Sequence, residues 1–250
     1  MSNYQRNTSM VVCIFAVIIV GAIAVGALSF YGTNWLNWST ASTDFHFDAE
    51  VGATTGTVTL DIDLAAGGVA ITFVDDATLL YDIDIEVQNS TLERDGDPSV
   101  TFTSNTIGLD YTAAGVNITL GSGLNYTFDV DVATGGIDVE LVDGAHVGDI
   151  AITTETGGIS FGMTDDVVLI GNATFDLDTT TGAITIVVDL PTGVGGSVEC
   201  ATTIGGVDIT ATGWTQITSN HYESSDYDTA SQTLTVIAEA TTGGITAVFT

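Results

Sequence analysis

The sequence predicts an all-β protein: a single-chain β-solenoid of stacked coils, each roughly 22–25 residues, preceded by one transmembrane helix. Three observations carry this. Beyond residue 45 apolar and polar residues alternate with period two, a Gly-Gly turn recurs at near-constant spacing, and residues 10–30 form an uncharged apolar run of 21. Strands with one polar face read with period two, whereas amphipathic helices read with a period near 3.6.

The apolar run, Met10 to Phe30, is long enough to cross a hydrocarbon core of ~30 Å at ~1.5 Å per residue. A secretory signal has a shorter apolar core, so length favours an uncleaved signal anchor. Small residues at Ala22, Ala24, Gly26 and Ala27 leave cleavage open. Phe30, Tyr31, Trp35 and Trp38 follow directly, as interfacial aromatics do. Arg6 is the only basic side chain before the span, which predicts a cytoplasmic amino terminus and the bulk of the chain outside the cell membrane in single-pass topology. The expected organisation is residues 1–9 cytoplasmic, 10–30 membrane-spanning, 31–44 a juxtamembrane linker, and 45–250 an acidic ectodomain. The turn signal Asp95-Gly96-Asp97-Pro98 is the one internal point at which that ectodomain would subdivide, near 95–98. Five Asn-x-Ser/Thr sequons, at Asn37, Asn89, Asn117, Asn125 and Asn172, are candidate glycosylation sites on the exposed side.

Two basic residues, Arg6 and Arg94, face 32 acidic ones, for a net charge of −30 and no lysine. Phosphate recognition needs Lys and Arg, so nucleic acid and anionic lipid surfaces are excluded as electrostatic partners. With 45% hydrophobic and only 14% charged residues, the chain is no disordered acidic tail. Cys13 lies within the apolar run, so Cys200 has no partner for an intrachain disulfide in the ectodomain and reads as a buried thiol in an apolar strand phase.

In FDVDVATGGIDVEL, Phe128, Val130 and Val132 share one face and Asp129 and Asp131 the other; after Gly135-Gly136 the phase resumes with Ile137, Val139 and Leu141. Equivalent turns stand at Gly67-Gly68, Gly157-Gly158, Gly182-Ala183, Gly205-Gly206 and Gly243-Gly244, with steps of 22, 25, 23 and 38 residues from Gly135 onward. Steps in the twenties are those of solenoid coils. Val116–Leu141 also aligns without a gap onto Ile186–Ala211 at an offset of 70, keeping Leu120/Leu190, Gly123/Gly193, Gly135/Gly205, Gly136/Gly206 and Asp138/Asp208 identical. Glycine is expected here for its positive φ. Eight or nine coils stacked in sequence order, sharing one core, follow from this reading.

The repeated ATGGIDVEL, TETGGISFGM, TTTGAITIVV and TTIGGVDIT units, with the closing YDTASQTLTVIAEATTGGITAVFT, resemble the toast-rack or putative adhesin family of bacterial and archaeal envelope proteins. The likeness is close over Leu109 to Thr250 and looser over Phe45 to Gly108. It implies a toast-rack-like β-solenoid displayed at an envelope, in some members beside membrane stress-sensing partners. It supplies no catalytic residues.

His46, His146 and His221 share no metal-ligand spacing with one another or with cysteine, and no nucleophile elbow or phosphate loop is present. Acidic residues alternate along the predicted strands at Asp61/Asp63, Asp82/Asp84/Glu86, Asp129/Asp131 and Asp176/Asp178, so stacking would align them into rows. Asp75, Asp76, Asp165 and Asp166, in predicted turns, are the calcium candidates; no other cofactor is expected. The expectation is therefore a membrane-anchored surface protein that is not an enzyme and meets a protein or glycan partner. The alternative is a coat or filament component that self-associates, and the non-repeating loop Trp214 to Tyr227 is the candidate for discrete binding.

Overall fold

Alternation becomes strand throughout the computed structural model, which describes residues 41–250. The first three strands are β1 (Ser42–Glu50), β2 (Thr57–Val74) and β3 (Leu79–Gln88); a short seven-residue helix, α1 (Asn89–Asp95), follows. Then come β4 (Thr101–Thr103), β5 (Thr106–Gly121), β6 (Asn125–Thr134), β7 (Ile137–Leu141), β8 (His146–Thr156), β9 (Ile159–Met163) and β10 (Val168–Leu169). The remainder are β11 (Ala173–Thr181), β12 (Ile184–Val188), β13 (Val194–Ile204), β14 (Val207–Ala211), β15 (Thr215–Thr218), β16 (His221–Glu223), β17 (Gln232–Thr242) and β18 (Ile245–Phe249). The apolar run 10–30 and Asn37 lie outside the described residues, among which no helix is long and apolar enough to cross a membrane. β1 begins at Ser42, inside the segment read as linker, because Phe45, Phe47 and Ala49 supply an apolar phase that packs on the core.

A strand, a glycine corner and a second strand make one rung. The pairs β6–β7, β8–β9, β11–β12, β13–β14 and β17–β18 are built this way, while β2 and β5 each run through the corner as a single long strand. Parallel, in-register pairing stacks these seven rungs in the order β5, β2, β6–β7, β8–β9, β11–β12, β17–β18, β13–β14. At ~4.8 Å between strands they extend ~30 Å. β1, β3 and β4 pair antiparallel at one end of the stack, and the β15–β16 hairpin pairs antiparallel with β13 at the other. The sheet is therefore mixed and open.

Rung order departs from chain order at both ends. β5 inserts between β2 and β3, and the final rung β17–β18 inserts between β11–β12 and β13–β14. The chain end is thus held inside the stack: Thr250 N–H donates to Val188 O (3.1 Å), and Leu190 N–H donates to Thr250 O (3.1 Å). Expected sequential stacking is replaced by this interleaving. The number of rungs falls accordingly, because Trp214–Tyr227 forms a hairpin and turn that cover the β13 edge.

Inward residues of both sides of each rung meet in one core. Leu60, Ile62 and Leu64 face it from one side of β2, and Val69, Ile71 and Phe73 from the other. Phe161 of β9 meets Phe175 of β11 at 5.3 Å between ring centroids, which ties the two sides together across the core. Each fully buried Leu, Ile, Val or Phe contributes roughly 1.5–3 kcal/mol relative to exposure. Cys200 is buried within this core, as its strand phase predicts, and burial pushes its thiol up to about 12.

The first glycine of each corner is required by close approach, and at Gly67, Gly135, Gly205 and Gly243 by positive φ as well. A Cβ on Gly135 would lie inside the carbonyl oxygen of Gly67, one on Gly157 inside that of Gly135, and one on Gly182 inside that of Gly157. Gly243 stands in the same way over Gly182, and Gly205 over Gly243. Where threonine precedes the corner by three residues, its hydroxyl bonds the same oxygen: Thr154 to Gly135 O (3.2 Å), Thr179 to Gly157 O (3.1 Å) and Thr202 to Gly243 O (3.2 Å). The second corner glycine has room. A Cβ on Gly136 would stand 3.7 Å from Gly158 O, and Ala183 already occupies that position in its own rung.

Gly157→Ala is expected to cost about 4 kcal/mol or more, since two rungs must part to admit the methyl group, whereas Gly136→Ala should stay within about 1 kcal/mol. Thermal melts of the two variants of the full-length chain in detergent check this; equal losses would mean that close stacking is not the constraint.

Candidate functional site

Register converts the alternating acids into rows on the outer face. Asp110, Asp63 and Asp131 are consecutive partners across β5, β2 and β6, and Asp178 of β11 is followed by Glu239 of β17. Asp61 and Asp129 form a second pair beside the first row. All these carboxylates are exposed. Loss of solvent, then the charges of Asp63, Glu155 and Asp129, raises the pKa of Asp131. On the other side of the rungs a row of Asn117, Ala70, Asp138, Ser160, Thr185, Thr246 and Asp208 runs the length of the stack. Burial raises Asp138, against a hydrogen bond from Ser160; burial and the charge of Asp138 raise Glu140.

That row ends in a group of six titratable side chains on β1 and β3. β1 and β3 place Asp44 opposite Glu86, His46 opposite Asp84, and Asp48 opposite Asp82, with all six on the outward phase. His46 Nδ1 lies 2.9 Å from Asp84 Oδ1 and 3.4 Å from Asp82 Oδ1, while Nε2 lies 3.6 Å from Asp48 Oδ1. The hydrogen bond to Asp84, then the charges of Asp82, Asp84 and Asp48, raises the imidazole pKa. Among the described residues, His46, Asp82 and Asp84 are the group of three metal-capable side chains whose ligand atoms converge.

The calcium candidates occupy rim turns. Asp76 accepts from Thr78 N–H (2.8 Å) and Thr78 Oγ1 (2.7 Å), which lowers its pKa, and Asp75 accepts from Ser122 Oγ (3.0 Å). Asp165 and Asp166 lie in the turn between β9 and β10, and Asp165 raises the pKa of Asp189 second to burial. Of the sequons, Asn89, Asn117 and Asn172 are exposed and Asn125 is half-buried. The corner glycines, from Gly67 and Gly68 to Gly206 and Gly244, shape the backbone only. Near the 95–98 turn, Arg94 pairs with Asp95 at 2.7 Å, and Arg94 and Thr112 hold that carboxyl at about 2. Tyr111 OH donates to Gly96 O (2.6 Å), so this segment is fastened to β5.

Ser197, His221 and Glu223 meet on β13 and β16, but they do not form a nucleophilic relay. Ser197 Oγ (3.1 Å) and Glu223 Oε1 (3.3 Å) both approach Nε2 of His221, leaving no carboxylate on the opposite ring nitrogen to orient the base.

Sequence reasoning missed the His46 group because nothing in the local spacing marks the strand that holds His46 as the partner of β3. The signal was present in DFHFDAE, whose alternation matches that of YDIDIE in β3.

No protein-family model and no curated protein matches the chain. Among solved structures, a putative cell adhesion protein from Clostridium sporogenes superposes with a TM-score of 0.64 at 13% identity, over 84% of this chain and 100% of that one. A putative adhesin from Bacteroides fragilis covers 84% of this chain and 98% of its own at 10% identity and TM-score 0.34; one from Parabacteroides distasonis covers 85% and 98% at 7% identity and TM-score 0.27. The Clostridium protein shares the fold of this chain, which bears out the family resemblance at the level of fold.

Asp131, Asp138, Glu140 and Asp189 have pKa values raised by folding, so their ionisation opposes it. That opposition is complete above their folded-state pKa values and fades as pH falls towards the unfolded values of about 4. The raised pKa of His46 acts in the same direction, its contribution being lost as pH rises through the folded-state value. The thermal midpoint at low ionic strength should therefore rise as pH falls from about 8 to about 5, and added salt at the higher pH should reproduce part of the gain. A midpoint that falls over that range would contradict the assignment.

Proposed function

We propose that this chain is a membrane-anchored, non-enzymatic cell-surface protein that presents an acidic β-solenoid for adhesion or for interaction with envelope partners. The observation that carries this reading is the row of aligned carboxylates from Asp110 through Asp63 to Asp131, on a face whose spacing the backbone fixes. Many weak contacts at a fixed repeat suit a repetitive ligand, because each engaged site raises the effective concentration at the next. A cationic protein surface, or a glycan bridged through divalent cations such as calcium, has the complementary chemistry. The shared fold with a protein described as a putative cell adhesion protein supports the same side of the choice. The uncharged run 10–30 would hold the ladder outside the cell, amino terminus inward.

A coat or filament component is the second reading, favoured by one feature. The outer edge of β14 has no strand partner among the described residues, and Ile204 at the end of β13 and Ile217 of β15 are 64% and 50% exposed. Open edges of this kind template pairing with another chain.

Crosslinking of the full-length chain in its native membrane separates the two. Recovery of a chemically distinct partner, reduced roughly tenfold by the double substitution Asp63→Asn and Asp131→Asn, is the expected result. Recovery of the chain's own copies alone, unchanged by that variant, would replace adhesion with assembly.

A further inference from the structure

We propose that His46, Asp82 and Asp84 form a binding site for a divalent transition-metal ion of zinc-like chemistry, with Asp48 orienting the imidazole. The inference stands apart from the adhesive reading and would survive its failure. His46 Nδ1 lies 2.9 and 3.4 Å from the two carboxylate oxygens, and the three ligand atoms fall within 4.8 Å of one another. Donors bound at about 2.0–2.2 Å to a tetrahedral ion stand about 3.3–3.6 Å apart, so an ion enters with small side-chain rotations.

The arrangement around the ring is that of a metal-binding histidine. Two carboxylates face Nδ1, and a third, Asp48, faces Nε2 at 3.6 Å. A small rotation that brings Asp48 from 3.6 Å to hydrogen-bond distance of Nε2 would fix the tautomer that leaves Nδ1 free to ligate. The acidic row through Asp63 and Asp131 has no imidazole in its register, so the β1–β3 group differs from it in kind. One nitrogen and two oxygens form a donor set for zinc, cobalt, nickel or manganese rather than calcium, which takes six to eight oxygens.

Charge gives the ion a structural consequence. Asp44/Glu86 and Asp48/Asp82 oppose like charges directly across β1 and β3, an unfavourable pairing in any sheet. The nearest positions on β5 are Gly115, Asn117 and Thr119, none of which carries charge. Arg94, the only described Lys or Arg, is engaged by Asp95. A divalent ion at His46 would join β1, the first described strand, to β3.

The test uses the full-length chain in detergent, freed of metal with a chelator, and titrated with Co²⁺ as a spectroscopic probe and with Zn²⁺ by calorimetry. The expected result is one Co²⁺ per chain with tetrahedral ligand-field absorption, displaced by stoichiometric Zn²⁺ and not by an equal concentration of Ca²⁺. His46→Gln and Asp84→Asn should each abolish that absorption, Asp48→Asn should weaken affinity by about tenfold, and His221→Gln should leave it unchanged. All four positions are outside the core, so unchanged circular dichroism will show that the variants fold. Absence of the absorption, its survival in His46→Gln, or its displacement by equal Ca²⁺ would overturn the site.

Discussion

A carbonyl oxygen pressed against a glycine Cα sets everything else in this molecule. At each corner the oxygen of one rung occupies the space a side chain would need on the next, from Gly67 through Gly135, Gly157 and Gly182 to Gly243 and Gly205. Backbone hydrogen bonds run along the same column, Gly135 N–H to Thr156 O (2.8 Å), Gly157 N–H to Thr181 O (2.9 Å) and Gly182 N–H to Thr242 O (2.9 Å). A slip of one residue would carry a side chain into that space and also turn every apolar residue outward. Register is thereby fixed twice, once by sterics at the corner and once by burial along the strands. The stack ends where the column ends: Gly67 abuts Ala114 of β5, whose own methyl group meets no further parallel rung.

Fixed register is what turns a local pattern into a surface. Alternation alone places Asp63 and Asp131 on outward phases of their strands, but only parallel in-register pairing makes them neighbours. The same register puts Ser160 beside Asp138, where its hydroxyl offsets part of the burial that raises that carboxyl. The inserted rungs extend the logic to the ends. β17–β18 closes between two earlier rungs, so the terminal Thr250 is fastened to Val188 and Leu190 rather than left at the tip. β13 takes the tip instead and is covered on its outer edge by β16, whereas β14 beside it is not.

Much of this was legible in the sequence, for identifiable reasons. Strand phase is a property of neighbouring residues, so FDVDV and IDVEL announced their buried faces correctly. The corner column was visible as a spacing, although close approach explains Gly157 and Gly182 better than the φ argument does. The ungapped match of Val116–Leu141 to Ile186–Ala211 reflects equivalent corners at Gly135 and Gly205. Rung order was not legible. Parallel neighbours are interchangeable whenever their corners and inward residues are alike, and nothing local marks β17–β18 for insertion ahead of β13–β14. The His46 group was hidden for a related reason: Asp82 and Asp84 lie 36 and 38 positions from His46 in the chain, and nothing local marks β1 and β3 as partners.

The absence of lysine gives the rigid rows their chemical meaning. Most acidic proteins pair part of their charge internally; here the described residues offer one arginine, already engaged by its neighbour Asp95, and three histidines. His46 and His221 each sit against carboxylates, so the few titratable cations stand where acidic side chains converge. The remaining repulsion cannot be relieved by side-chain movement alone, because the spacing that produces it is the spacing of the backbone ladder. It must be met from outside, by protons, salt, metal ions or the groups of a partner. A fold that fixes like charges in rows is therefore stabilised by whatever neutralises them, and by linkage each such ligand binds more tightly because the rows are already formed.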